Sequence, residues 1–138
     1  MHETAKKTVE QVAELTGKYP VEAFEFVRHG LGFAVEKVHG DTRDKSDQEC
    51  HVSGQQLSWG LRDYAISRYG VCARAVLGHW RITKTGDFGR IVFAMVENRL
   101  MQKTDRDDVR DFDNVFDFAD AFEPPARPVV KLRTVFEV

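Results

Sequence analysis

The residues of this chain that are best equipped for chemistry are Cys50, His51 and Ser53, which are close neighbours in the sequence. Hydrolases use thiols and hydroxyls as nucleophiles and imidazoles as general bases, and a thiol with an imidazole can also bind zinc. No Gly-x-Ser-x-Gly motif surrounds Ser53, however, and no catalytic-cysteine signature surrounds Cys50. Ser53 and Gln56 instead have the spacing of a helix capping box. The sequence therefore predicts no catalytic residue.

The histidines and aspartates do not predict a metal site either. The five histidines lack the spacing of a zinc knuckle or a zinc-protease helix: His2, His29, His39, His51 and His79. The aspartate-rich segment from residue 105 begins like a calcium loop. Val109, Arg110 and Phe116 nevertheless occupy the positions that require an oxygen ligand, glycine and glutamate. Phosphate-loop and dinucleotide-binding motifs are absent from the sequence. We expect neither a metal nor a cofactor.

Five helices are expected to position these residues. Apolar residues at helical spacing predict them over 3–17, 20–39, 53–70, 71–80 and 85–100. Thr85 is the expected N-cap of the fifth helix, and Asp87 suits the positive end of its dipole. The second helix is apolar on two faces, so it is either buried between neighbours or in contact with a partner. We take Phe26 and Phe33, on its second apolar face, as candidate partner contacts.

The order of elements after residue 53 resembles a winged helix, because three short helices precede a polar turn between two apolar runs. Those runs are expected to pair as a β-hairpin. We therefore predict a mainly α fold, a five-helix single domain over 1–123, with a helical N-terminal half at 3–39, a winged-helix-like C-terminal half at 53–118 and a small β-hairpin. The Pro-rich tail at 124–138 is expected either to be disordered or to add a strand to a hairpin or another chain.

Charge is distributed unevenly along a chain whose formal net charge is only -2. Residues 61–103 carry eight Lys/Arg against three Asp/Glu, whereas residues 104–123 carry two against eight. The basic block favours either pairing with the acidic segment or a binding face for phosphates. The candidate nucleic-acid or partner contacts are the basic residues around the expected recognition helix: Arg81, Lys84, Arg90, Arg99 and Lys103. Aspartates in the expected wing would repel a nucleic-acid backbone.

Several segments, in this order, resemble a family of small uncharacterised proteins restricted to Verrucomicrobia and Planctomycetes. They are AFEFV at 23–27, HVSGQQL at 51–57, RDYA at 62–65, HW at 79–80, TGDFGRIVF at 85–93, KT at 103–104, DF at 111–112 and VFDF at 115–118. The resemblance covers residues 10–122 and implies a single compact domain in the bacterial cytosol. It implies no activity, substrate or catalytic residue. It also implies that the tail from Pro124 is an extension, since family members end soon after the position of Phe122.

Three functions are compatible with the sequence. The favoured one is a non-enzymatic interaction module that binds a protein partner or itself, because one helix is apolar on two faces and no catalytic constellation is present. The first alternative is a winged-helix nucleic-acid-binding protein that uses the basic block at 61–103. The second is a metal-dependent or hydrolytic enzyme that uses Cys50, His51 and the acidic segment. Only two cysteines, no apolar signal core and no long apolar run favour a cytoplasmic protein without a membrane partner.

Overall fold

The computed structural model describes residues 7–46 and 49–123. In these ranges the chain forms the helices α1 (Val9–Thr16), α2 (Val21–His39), α3 (Gly54–Tyr69), α4 (Ala73–His79), α5 (Thr85–Glu97) and α6 (Phe118–Ala121), with 3-10 turns at Gly70–Cys72 and Val109–Phe112. The prediction of a mainly helical fold is confirmed, and the five predicted helices correspond to α1 to α5. The predicted tail at 124–138 lies outside the described residues.

Side-chain caps set the start of α1 and α3, as the sequence predicts for α3. The Ser53 hydroxyl accepts a hydrogen bond from the amide of Gln56 at 3.0 Å, and the Gln56 side chain accepts one from the amide of Ser53 at 2.9 Å. Thr8 and Gln11 form the same reciprocal pair at the start of α1. Each pair satisfies two of the amides that a helix end leaves without an intrahelical partner.

A single core joins the helices, with α2 and α3 packed along each other and α5 against both. Phe24 of α2, Leu61 of α3 and Phe88 of α5 are fully buried in it. Burial of each such side chain contributes about 1.5–3 kcal/mol. The apolar stripes that predict these helices are therefore the faces that meet in the core. None of the helices in the described ranges is both long enough and apolar enough to span a membrane.

The predicted β-hairpin is wrong, since residues 100–118 contain no strand. The reason is local hydrogen bonding by the aspartates. The Asp107 carboxylate accepts from the amide of Thr104 at 2.7 Å, and the Asp108 carboxylate accepts from the amide of Arg110 at 2.9 Å. Asp111 in turn accepts from the amide of Asp108 at 3.0 Å. These bonds hold the backbone in turns and occupy amides that a strand ladder would need.

The winged-helix-like half is not supported, because it has no wing and its expected recognition helix lies in the core. Most of α5 is buried, and Arg90 and Glu97 are its only exposed residues. Thr85 is not the N-cap, which is Lys84. The Thr85 hydroxyl instead donates to the carbonyl of Phe112 at 2.6 Å. Thr85 thereby fastens the acidic segment to the start of α5.

Candidate binding pocket

A pocket of about 250 Å³ opens between α2, the start of α3, α5 and the segment that follows α5. The apolar part of its lining, which we call its floor, has the buried Leu57 and Val92 and the half-buried Leu31, Val35, Val96 and Met101. These residues come from separate parts of the sequence, and the apolar spacing of α2 and α5 brings them to one place. The pocket offers a ligand mainly apolar contacts at its base.

The polar part of the lining, which we call the mouth, carries more negative than positive charge. Asp107, Asp108 and Asp111 line it, together with one ammonium group, that of Lys103. Arg110 lies 2.9 Å from the Asp108 carboxylate and compensates part of its charge. Hydrogen bonds from Arg110 lower the pKa of Asp108 to about 2, so this carboxylate is ionised at neutral pH. An apolar floor under an acidic mouth favours ligands that combine apolar and basic groups.

A histidine–aspartate contact closes one side of the mouth. The Nε2 atom of His51 lies 3.0 Å from Oδ1 of Asp107, while the other oxygen of Asp107 accepts from the amide of Thr104 at 2.7 Å. Nε2 of His39 lies 2.6 Å from the carbonyl oxygen of His51. His51 therefore joins the segment before α3 to the segment after α5, and both segments line the pocket.

Phe112 forms a wall of the pocket because two glycines make room for its ring. A methyl group at Gly54, the first residue of α3, would lie 3.1 Å from the Phe112 ring. A methyl group at Gly89 of α5 would lie 2.8 Å from Cβ of Phe112. Both distances are shorter than an ordinary van der Waals contact. The acidic segment can therefore approach both helices closely only while these positions lack a side chain.

The pocket also brings together the residues that the enzyme alternative would use. Their contacts differ from those expected of a nucleophile and its base. Cys50 and His51 line the pocket with the aspartates of its mouth. The Nε2 atom of His51 contacts Asp107, and no hydrogen bond joins the Cys50 thiol to His51 in the described ranges. A nucleophile and its base are expected within hydrogen-bonding distance. In the same ranges, no three His, Cys, Asp or Glu side chains are grouped as metal ligands.

The five predicted basic contacts do not gather at one place. Arg81 and Lys84 precede α5 and Arg90 lies in its second turn, whereas Arg99 and Lys103 follow its other end. The 13 residues of α5 separate its two ends by about 20 Å, and Arg90 lies between them. Three of these cations also have protein partners. Arg81 donates to the carbonyl of Lys18 at 3.1 Å, Arg90 lies 3.5 Å from Asp87, and Lys103 donates to the carbonyl of Thr104 at 3.3 Å. Among the five, Lys103 alone lines the pocket.

The two predicted partner contacts differ in exposure. Phe26 is 4% exposed and packs between Tyr64 and Trp80, with ring centroids 5.4 and 5.8 Å away. Its side chain belongs to the core and has no free surface for a partner in this fold, which corrects that part of the prediction. Phe33 is half-buried against Tyr64, and the ammonium of Lys37 lies 5.7 Å from its ring.

A buried polar cluster lies at the N-terminal end of α5, outside the pocket. Asp87 is 2% exposed and accepts hydrogen bonds from the Tyr19 hydroxyl and from the amides of Thr83 and Lys84, at 2.9 and 3.2 Å for the amides. Burial favours a raised pKa for Asp87, but these bonds and the nearby Lys18 ammonium hold it below the usual value. Burial and the bond to Asp87 raise the pKa of Tyr19 to about 12.

The pocket is not predicted from the sequence, although the sequence contains one signal for part of it. Thr104 and Asp107, and then Asp108 and Asp111, have the three-residue spacing at which capping side chains reach back to a backbone amide. That spacing predicts turns between residues 104 and 111 instead of a hairpin. No comparable signal in the sequence indicates that this turn segment lies over α5.

In comparisons with known proteins, no family model, no curated protein and no solved structure matches the chain. The resemblance to the family from Verrucomicrobia and Planctomycetes therefore stays a prediction.

Proposed function

We propose that this chain is a non-enzymatic interaction module, and that its pocket binds a peptide segment of a partner protein. An apolar side chain of the peptide enters the pocket, and basic residues beside it face the carboxylates at the mouth. The observation that carries this proposal is that apolar side chains and the carboxylates of Asp107, Asp108 and Asp111 line the same pocket. Opposite charges across an interface favour the correct partner and speed its association.

The size of the pocket supports a peptide ligand over a cofactor. Its volume of about 250 Å³ lies below the usual range for small-molecule sites. One or two apolar side chains fill such a space. Burial of one large apolar side chain contributes about 1.5–3 kcal/mol, and the charges at the partly exposed mouth, which water and salt screen, contribute less. The freedom lost on association opposes these contributions, so we expect weak binding, with a dissociation constant of about 0.1 mM or weaker for a short peptide.

Two synthetic peptides test the proposal on the full chain. Both carry the apolar core Val-Leu-Val-Phe, flanked by lysines in one peptide and by glutamates in the other. We expect the lysine peptide to bind at least about tenfold more tightly at low salt and to lose affinity as salt screens the charges. Fluorescence anisotropy of labelled peptides measures both affinities. Equal binding of the two peptides, or binding of neither, contradicts the proposal.

A charge reversal at the mouth adds a gain-of-affinity test. Lys103 is exposed, lines the pocket and donates only to the neighbouring Thr104 carbonyl, at 3.3 Å. Lys103→Glu should therefore strengthen binding of the lysine peptide without disturbing the fold. Arg74→Glu is the matched control, since Arg74 is exposed on α4 and does not line the pocket. A similar gain in both variants would show that net charge, and not the pocket, determines binding.

Nucleic acid is the competing ligand for the basic block at 61–103. The distribution of its cations along about 20 Å of α5 and the burial of that helix weaken this alternative. A gel-shift series at rising salt with a DNA duplex and a single-stranded RNA tests it. Binding that weakens steeply with salt would indicate contacts to several phosphates and would favour the alternative.

A further inference from the structure

We infer that the ligand of this pocket is the chain's own C-terminal segment, residues 129–136; this inference rests on the function proposed above. The segment reads VVKLRTVF and so combines apolar side chains with Lys131 and Arg133. Over 124–138 the tail carries three basic side chains, Arg127, Lys131 and Arg133, against one acidic side chain, that of Glu137. This composition complements an apolar floor beneath an acidic mouth.

The position where the described residues end brings the tail within range of the pocket. The Arg62 side chain donates to the carbonyl of Ala121 at 2.9 Å, which holds the end of α6 beside α3. Gly54 lines the pocket eight residues before Arg62 in α3, a distance of about 12 Å along a helix. About four extended residues cover that distance, so the chain can arrive at the pocket by residue 128. Residues 129–136 are the apolar and basic part of the tail.

Attachment to the same chain makes a weak peptide contact effective. A segment on a short linker has an effective concentration of about 1 mM at its binding site. Against a dissociation constant on the order of 0.1 mM, the tail occupies the pocket about ten times as often as it leaves it empty. The chain then covers its own binding site, and a partner peptide has to displace the tail before it can bind.

The reactivities of the two cysteines report whether the tail occupies the pocket in the full chain. Cys50 lines the pocket, whereas Cys72 is exposed in the turn before α4 and serves as the reference within the same molecule. Iodoacetamide labelling followed by peptide mass spectrometry measures the ratio of the two reaction rates. The test variant combines Arg127→Glu, Lys131→Glu and Arg133→Glu, and all three positions lie outside the described residues. The matched control keeps every charge through Arg127→Lys, Lys131→Arg and Arg133→Lys.

We expect the rate ratio of Cys50 to Cys72 to rise about tenfold in the charge-reversed variant and to stay unchanged in the control. The ratio of the unaltered chain should not depend on protein concentration. An equal ratio in all three proteins overturns the inference, and protection of Cys50 that disappears on dilution overturns it in favour of a second copy. If the lysine peptide still protects Cys50 in those cases, the proposed function stands without the tail. If neither the tail nor the peptide protects Cys50, both proposals fail.

Discussion

Removal of the Asp87 carboxylate should destabilise the fold more than any other single polar change in the described core. Asp87→Ala leaves the buried Tyr19 hydroxyl without an acceptor, at a cost of about 1–3 kcal/mol. It also removes the acceptor for the amides of Thr83 and Lys84 at the start of α5, which costs about 1 kcal/mol as a lost cap. The expected loss is about 3 kcal/mol, in line with broken buried polar pairs.

Urea denaturation followed by circular dichroism measures this loss as a change in the free energy of unfolding. Asp44→Ala is the matched control, because Asp44 is exposed and should change the stability by less than about 0.5 kcal/mol. Tyr19→Phe removes one donor and should cost less than Asp87→Ala. A double-mutant cycle between the two positions should reveal coupling. A loss below about 1 kcal/mol for Asp87→Ala would refute the account of a buried, multiply bonded carboxylate.

The same cluster predicts how stability changes at both ends of the pH scale. The pKa of Tyr19 is about 12 in the folded chain and 10.0 without the fold, so stability that is present below pH 10 falls as the pH rises to about 12. This loss of stability is at most about 3 kcal/mol, and the Tyr19→Phe variant should not show it. The pKa of Asp87 is lowered, so its contribution is present above pH 3.8 and disappears as the pH falls through its folded pKa.

Two further changes test the caps and the close packing around the pocket. Ser53→Ala should cost about 1 kcal/mol through loss of the bond to the Gln56 amide, and an unchanged melting temperature would show that the cap contributes nothing. Gly89→Ala should cost about 1–3 kcal/mol because its methyl group meets Phe112, whereas Gly32→Ala, a helical position with open space, should be neutral or stabilising. Equal unfolding free energies for the two glycine variants would contradict the packing account.

Helices were predictable because their signals are local. The stripe of Phe24, Val27 and Ala34 recurs at helical spacing, and these residues are buried in α2. Ser53 and Gln56 form the capping box that their spacing predicts. These features depend on residues a few positions apart, so a single sequence contains the information that specifies them.

The hairpin and the pocket depend on contacts that the sequence does not encode locally. Two apolar runs around a polar turn between 100 and 118 predict a hairpin, but Asp107, Asp108 and Asp111 bond to nearby amides and keep the backbone in turns. Apolar residues there pack individually, as Phe112 does against α3 and α5. The pocket then arises from residues up to about 80 positions apart, such as Leu31 and Asp111. Only the packed fold brings them together.

The exposed apolar residues elsewhere offer the clearest alternative to the pocket as a binding site. Leu15 and Val109 are 66% and 41% exposed and border a shallow groove beside α5. Trp59 and Ile66, 45% and 37% exposed, lie seven residues apart and so share a face of α3. Neither surface combines an apolar floor with a cluster of carboxylates. A direct map of where a peptide binds separates these surfaces from the pocket.

Peptide binding in the pocket is tested most directly by an NMR titration of the uniformly ¹⁵N-labelled full chain with the lysine-flanked peptide. We expect the largest shifts for amide signals of the pocket lining, including those of Val92, Val96 and Met101. Signals of Leu15 and Trp59 should stay in place. Shifts that instead cluster around Leu15 or Trp59, or the absence of any shift at millimolar peptide, would contradict the account.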